Sequence, residues 1–209
     1  MIPAREALER LREGNRRFAS GARSGDSILD QARRRELVEG QEPFAVILGC
    51  SDSRVPAEIV FDQGLGDLFV IRVAGNIAAS SQIGSIEFAV EQFSTPLVVV
   101  LGHSGCGVVI AAIEETLEPI EGRSRDLRSI VDRVRPYVQE LAPDLAHDPD
   151  ALMEQAVRAN IRASVIDVRR GSEVLEELIR RDELLVVGAE YSLETGIVDF
   201  FDGTPAAGW

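Results

Sequence analysis

The sequence predicts an α/β fold in which a mostly parallel central sheet is flanked by helices. Short continuous apolar runs recur at 44–48, 68–71, 96–101 and 184–187. Three of them are closed by glycine, at Gly49, Gly102 and Gly188. Runs of this length read as strands buried on both faces, the mark of a parallel sheet. Segments of helical period lie between and after them, and that alternation builds crossover units. With 209 residues, 45% of them apolar, a sizeable core forms without staples.

The elements follow in chain order. Leu8, Leu11 and Phe18 recur at helical spacing among charges, so residues 4–19 are predicted as an amphipathic helix. A second helix is expected over 28–39, with Asp26 or Ser27 as its cap. Pro43 enters the first strand. Ile83, Ile86, Val90 and Phe93 predict a helix over 82–94, and Val108–Leu117 a further one. Residues 124–141 are amphipathic, with a kink or break expected at Pro136. Ala142–Asp150, with two prolines and several carboxylates, is expected to be a loop. Met153, Val157, Ile161 and Val165 mark a long helix, and 172–181 a last one. The whole chain, 1–209, is expected to be a single domain with a helical arm over about 1–40.

Composition excludes some partners. A net charge of −13 disfavours nucleic acid, which needs a basic face, and an anionic membrane surface. No apolar run reaches spanning length, and Met1–Arg17 lacks the apolar centre of a signal peptide, so the expected location is cytoplasmic. In such a compartment the two cysteines, Cys50 and Cys106, point to a metal or reactive site rather than a disulfide.

Two of the strands end alike. The first runs into Gly49-Cys50-Ser51-Asp52-Ser53-Arg54, the second into Gly102-His103-Ser104-Gly105-Cys106-Gly107. Both place ligand residues beyond the carboxyl end of a strand, the edge where open α/β sheets build their sites. If the strands are neighbours, Cys50, His103 and Cys106 converge on one ion, and two thiolates with an imidazole suit Zn²⁺. No further cysteine exists to close a structural site, so an open fourth position, and a catalytic ion, is favoured. The plainer alternatives are an inert buried thiol at Cys50 and a surface ion pair between Asp52 and Arg54. His147 reads as a solvated loop residue and the terminal Trp209 as a packing residue. Gly64-x-Gly66 and Gly102-x-x-Gly105-x-Gly107 lack the spacing of a dinucleotide fingerprint.

The paired signature Cys50-Ser51-Asp52-Ser53-Arg54 and His103-Ser104-Gly105-Cys106-Gly107 resembles that of the β-carbonic anhydrases. The resemblance takes in Gln41, Phe61–Gly64, Phe69–Asn76 and Gly84–Phe88, and weakly Gly188–Gly196. It implies one Zn²⁺ per chain on Cys50, His103 and Cys106, with water or hydroxide in the fourth position, and reversible hydration of CO₂ to bicarbonate and a proton. It implies that Asp52 accepts a hydrogen bond from that hydroxide and that Arg54 holds Asp52 ionised. In some members the same aspartate swings onto zinc and closes the site, so Asp52 is also a candidate ligand of a closed state. Gln41, Phe69 and Gly107 match substrate-pocket positions, which in the family can come from a neighbouring subunit; a homodimer or homotetramer is implied. Phe88 stands where plant-like members have Tyr. Ile47 stands where bicarbonate-regulated members have Trp, although Arg72 and Tyr191 lie near the segments concerned. The plant-like, open type is therefore expected.

Two thiolates cancel the charge of Zn²⁺, so the bound water should ionise above about pH 7 and activity should rise at alkaline pH. The rival readings are a hydrolase of carbonyl sulfide or carbon disulfide on the same scaffold and a non-catalytic zinc-binding protein. The sequence leaves open the physiological role, pH regulation and the choice between dimer and tetramer.

Overall fold

The computed structural model describes residues 2–22, 31–118 and 122–205. Its centre is a five-stranded sheet of order β2-β1-β3-β4-β5. The strands are β1 (Ala45–Gly49), β2 (Leu68–Arg72), β3 (Leu97–His103), β4 (Leu185–Tyr191) and β5 (Val198–Asp202). The first four pair in parallel, and β5 returns antiparallel along β4. The predicted α/β architecture is thus the observed one. β1 and β3 are buried throughout, as continuous apolar runs require. β2 departs from that expectation: only Leu68 is fully buried, because β2 forms an edge.

The helices cover both faces. They are α1 (Ala4–Ala19), α2 (Gln31–Glu36), α3 (Ala57–Val60), α4 (Ser80–Phe93), α5 (Gly107–Leu117), α6 (Arg125–Leu145), α7 (Pro149–Arg170) and α8 (Glu173–Arg180). One core layer joins Val46, Leu48, Val98, Val100 and Val186 to buried residues of α4 through α8. The other joins Ile47, Val99, Leu101 and Val187 to Ala7, Leu8 and Leu11 of α1 and Val60 of α3. The alternation along each strand divides these two sets, as the period of two demands.

α1 is fastened by one buried side chain. Asn15 donates to the carbonyls of Val60 and Gly196 at 3.2 and 2.9 Å and accepts from the Val198 amide at 2.8 Å. Gly14 beside it permits the approach, since a Cβ there would stand 1.8 Å from the Phe61 carbonyl oxygen. α2, by contrast, buries no residue. The helix expected over 28–39 is seen as α2 followed by a 3-10 turn at Leu37–Glu39; its candidate caps Asp26 and Ser27 lie outside the described residues, as does Trp209.

Two expectations need correction. The loop expected over 142–150 is confined to 146–148, because α6 continues to Leu145 and α7 starts at Pro149. Of the kink or break expected at Pro136, the break does not occur: α6 passes through both Pro136 and Pro143. Pro136 lies exposed, while Val131, Val134, Val138 and Ala142 bury the opposite stripe, so tertiary packing holds the helix across the lost amide. Asp148 then caps α7 by accepting from the Ala151 amide at 3.1 Å, and Pro149 occupies the first turn, where its missing N–H costs nothing.

Candidate metal centre

The sheet order places the reversal of topology between β1 and β3. The chain leaves β1 for β2 on one side and reaches β3 on the other, which opens a crevice at their carboxyl ends. Gly49 pairs with Arg72 and Leu101, so Cys50 and His103 emerge side by side. Cys106 follows two residues beyond Ser104 and immediately precedes α5. The ligand atoms of Cys50, His103 and Cys106 all lie within 4.8 Å of one another, and all three residues are buried.

The histidine is oriented for coordination. Its Nδ1 is 2.9 Å from the Ser104 carbonyl and donates to it, which leaves the Nε2 lone pair free. Nε2 is buried and has no hydrogen-bond partner. The Ser104 peptide is itself held, by Ser104 N–H donating to the Tyr191 carbonyl at 3.0 Å and by the Leu193 amide donating to Ser104 Oγ at 3.0 Å. A buried imidazole nitrogen facing two sulfurs is costly as an orphan and well suited to a thiophilic cation.

The two thiols titrate as a coupled pair. The contact with Cys106 draws the Cys50 thiol pKa down, against burial, with help from His103 and the amides of Asp52 and Gly75. Cys106 is pushed up by the same contact with Cys50 and by burial. One thiolate therefore forms readily, while the second awaits a positive charge. Burial works against the His103 imidazolium, yet the Cys50 sulfur, the Ser104 carbonyl and Asp52 together outweigh it and raise its pKa. A metal ion would favour the neutral imidazole, since coordination needs the Nε2 lone pair.

Asp52 and Arg54 stand over the cluster. Asp52 accepts from Arg54 three times: from its Nε at 2.9 Å and Nη2 at 2.7 Å, and from its backbone amide at 2.9 Å. Arg54 thereby holds the Asp52 carboxyl well below the usual carboxylate range, against a desolvation effect. The Asp52 carboxylate reaches within 3.9 Å of His103 Nε2. Arg72, at the end of β2, braces this loop by donating to the Cys50 and Asp52 carbonyls at 3.1 and 2.7 Å.

The other expected residues distribute unevenly. Gly107 opens α5 directly after Cys106, beside the cluster. Phe69 lies on edge strand β2, half-buried against Phe88 and Phe93. Gln41 is exposed before the amino end of β1, whereas Cys50 lies beyond its carboxyl end. A five-residue strand spans about 16 Å, so Gln41 cannot reach the cluster of its own chain. His147 is exposed between α6 and α7. Sequence reading missed the braces, namely Arg72 as a support, Ser104 and Gly75. Only their place at the ends of the same strands marked them.

Comparison with known proteins agrees with this geometry. Residues 45–198 match the sequence family described as carbonic anhydrase. "Carbonic anhydrase 2" of Mycobacterium tuberculosis is 40% identical over 195 residues, covering 91% of this chain and 89% of that protein. The carbonic anhydrase of Mycolicibacterium smegmatis is 37% identical over 193 residues, covering 92% and 91%. Among solved structures, a Coccomyxa β-carbonic anhydrase in complex with acetazolamide superposes with a TM-score of 0.69 at 25% identity, over 93% of this chain and 86% of the other. One of two tetrameric β-carbonic anhydrases from Sordaria macrospora gives 0.71 at 25% identity, over 80% and 85%.

Proposed function

The chain belongs to the β-carbonic anhydrase family, and from that membership we propose that it hydrates CO₂ reversibly to bicarbonate and a proton at one Zn²⁺ held by Cys50, His103 and Cys106. The observation that carries the reading is the buried, unpartnered Nε2 of His103 facing two sulfurs, with an ionised aspartate beside it. Bound there, zinc would supply the Lewis acidity that makes water nucleophilic near neutral pH.

The remaining roles fall to the protein. Asp52 would accept a hydrogen bond from the attacking oxygen and aim its lone pair at the carbon of CO₂. Arg54 uses both carboxylate oxygens of Asp52 and so fixes its rotamer and its charge. That bidentate pairing favours the open type of site, with Asp52 engaged by arginine rather than by metal. The first turn of α5 presents the Gly107 amide and the positive end of a helix to the anionic product. We read the chain as one domain with an arm over about 1–40, working as a homodimer or homotetramer in the cytoplasm. The unburied α2, the exposed Phe88 and the position of Gln41 support an assembly in which a second copy completes the pocket. A site built on two reduced thiols suits a reducing compartment. Among the described residues no helix is long and apolar enough to cross a membrane.

Stopped-flow CO₂ hydration across pH, on protein of measured zinc content, tests the reading. The expected result is one zinc per chain, activity that rises with pH, and loss of zinc in Cys106→Ser. Full zinc without hydration at any pH would overturn it.

A further inference from the structure

Asn160 is a buried polar side chain for which the reaction has no direct use. It lies on the inner face of α7 and is 2% exposed. A carboxamide in such a place is unfavourable unless its polar atoms are partnered. Its Nδ2 donates to the Gly75 carbonyl at 2.8 Å. The Gly75 amide in turn donates to Cys50 Sγ at 3.4 Å. Gly75 sits in a turn, Ala74–Asn76, with φ of 72°, and on its open side the Val108 Cγ1 is 2.9 Å from where a Cβ would stand. The residue is thus gripped at its carbonyl by α7 and at its Cα by α5, leaving its N–H one direction in which to point.

We propose that Asn160 is a positioning residue for the metal centre: by anchoring the Gly75 carbonyl it aims the Gly75 N–H at the Cys50 sulfur and sets how firmly that thiolate holds its cation. The inference rests on Cys50 being a zinc ligand, as proposed above. An amide donating to a thiolate withdraws charge from sulfur and fixes the direction of its remaining lone pairs. Packing alone does not call for an amide at this position. The neighbours Ala156, Val157 and Ile161 are apolar and fully buried, and an apolar residue would fill the same space without desolvating a carboxamide. The carbonyl that Asn160 anchors lies on the loop that faces the metal cluster.

The test uses the full chain loaded with cadmium-113, read by scalar coupling from the metal to protein protons, together with zinc affinity by chelator competition. In the unaltered protein the metal couples to the Cys50 β-protons and to the Gly75 amide proton. Asn160→Leu and Asn160→Asp keep the approximate volume and remove the donor. Both are expected to retain the Cys50 coupling, lose that to Gly75 and bind zinc about 10–100-fold more weakly. Val168→Ala, a cavity farther along the same helix, lowers the melting temperature and leaves couplings and affinity unchanged. Unaltered zinc affinity with intact Gly75 coupling in either Asn160 variant overturns the proposal. So does a missing Gly75 coupling in the unaltered protein when Cys50 is coupled, which needs no variant to fold. A metal that fails to couple to Cys50 overturns the ligand assignment itself, and the role of Asn160 with it.

Discussion

Gly75→Ala perturbs the turn that links the sheet, α5 and the sulfur of Cys50, and its cost divides into two parts. A φ of 72° lies in the left-handed region, where a Cβ meets the following carbonyl and costs about 1–2 kcal/mol. The added methyl would also stand 2.9 and 3.0 Å from Cγ1 and Cβ of Val108, in the first turn of the helix that follows Cys106. Overpacking of that kind costs about 1–3 kcal/mol, so a total of about 2–5 kcal/mol is expected. Val108→Ala isolates the second part. Val108 is only half-buried, and at roughly 0.8 kcal/mol per methylene its truncation costs about 1 kcal/mol by itself. In the double variant the Cγ1 contact disappears while the 3.0 Å approach to Cβ and the backbone strain stay, so the two changes should couple favourably by part of that overpacking cost, about 1 kcal/mol. Urea denaturation of the four proteins, paired with zinc titration, reads both parts. Gly75→Ala should also bind zinc more weakly, because the turn can relieve the clash only by moving its N–H off Cys50 or by shifting Cys106. A loss below about 0.5 kcal/mol with unchanged zinc affinity would refute the reasoning, since that is the range of an inconsequential surface change. Complete rescue by Val108→Ala would refute the backbone part alone.

Three other outcomes are expected. Arg54→Gln removes the side-chain hydrogen bonds that depress the Asp52 pKa. A depressed carboxylate stabilises the fold above its unfolded value of about 3.9 and loses that contribution as pH falls through the folded value. The unaltered protein should therefore show no acid limb from Asp52 in kcat/KM, whereas Arg54→Gln should show one nearer the ordinary range, with lower activity and retained zinc. Gly14→Ala places a Cβ 1.8 Å from the Phe61 oxygen, against a comfortable separation of about 3.3 Å, so α1 must retreat by about 1.5 Å and strain the three Asn15 hydrogen bonds. Loss of about 3 kcal/mol and faster proteolysis of the arm should follow. Turnover should rise with buffer concentration, because among the described residues the one other imidazole, His147, is exposed ahead of α7, whose first residue lies about 16 Å along the helix from Asn160. Turnover independent of buffer would demand an internal shuttle.

The legible parts of the sequence were those governed by period and by ligand chemistry. β1 and β3 read as buried strands because every residue in them before the terminal His103 is apolar or small, and Cys50, His103 and Cys106 read as a set because they stand at equivalent strand ends. β5 was illegible for a physical reason. Val-Asp-Phe-Phe-Asp is an edge strand with one wet side, too short to show alternation, and it exists through pairing with β4. α3 is only four residues long, below the length at which period is readable. The helix through Pro136 and Pro143 depends on packing that propensity does not encode. Asn160 was hidden differently: its apolar neighbours announce a buried helix face, but nothing local says which carbonyl it meets across the fold.

Burial separates the two halves of the site and gives each its task. The three candidate ligands are 0–5% exposed and rest on the sheet, where strand ends, Ser104 and the Gly75 turn leave little freedom. Asp52 and Arg54 stand at the surface, the Arg54 side chain 57% exposed. A surface ion pair ordinarily contributes little, because water competes for both partners. Here the pair is bidentate, reinforced by a backbone amide, and set on a loop that Arg72 ties to β2, so its geometry is fixed before any substrate arrives. Among the described residues no wall excludes water from that pair. Such a wall would strengthen the Asp52–Arg54 interaction and confine a small apolar substrate. Gln41 cannot supply it from its own chain, being at the far end of β1, and the exposed Phe88 borders the same edge of the sheet as Phe69. The architecture thus divides the labour: each chain builds a rigid thiolate–imidazole cradle for itself, and the enclosure of the reacting face would fall to the neighbouring copy proposed above.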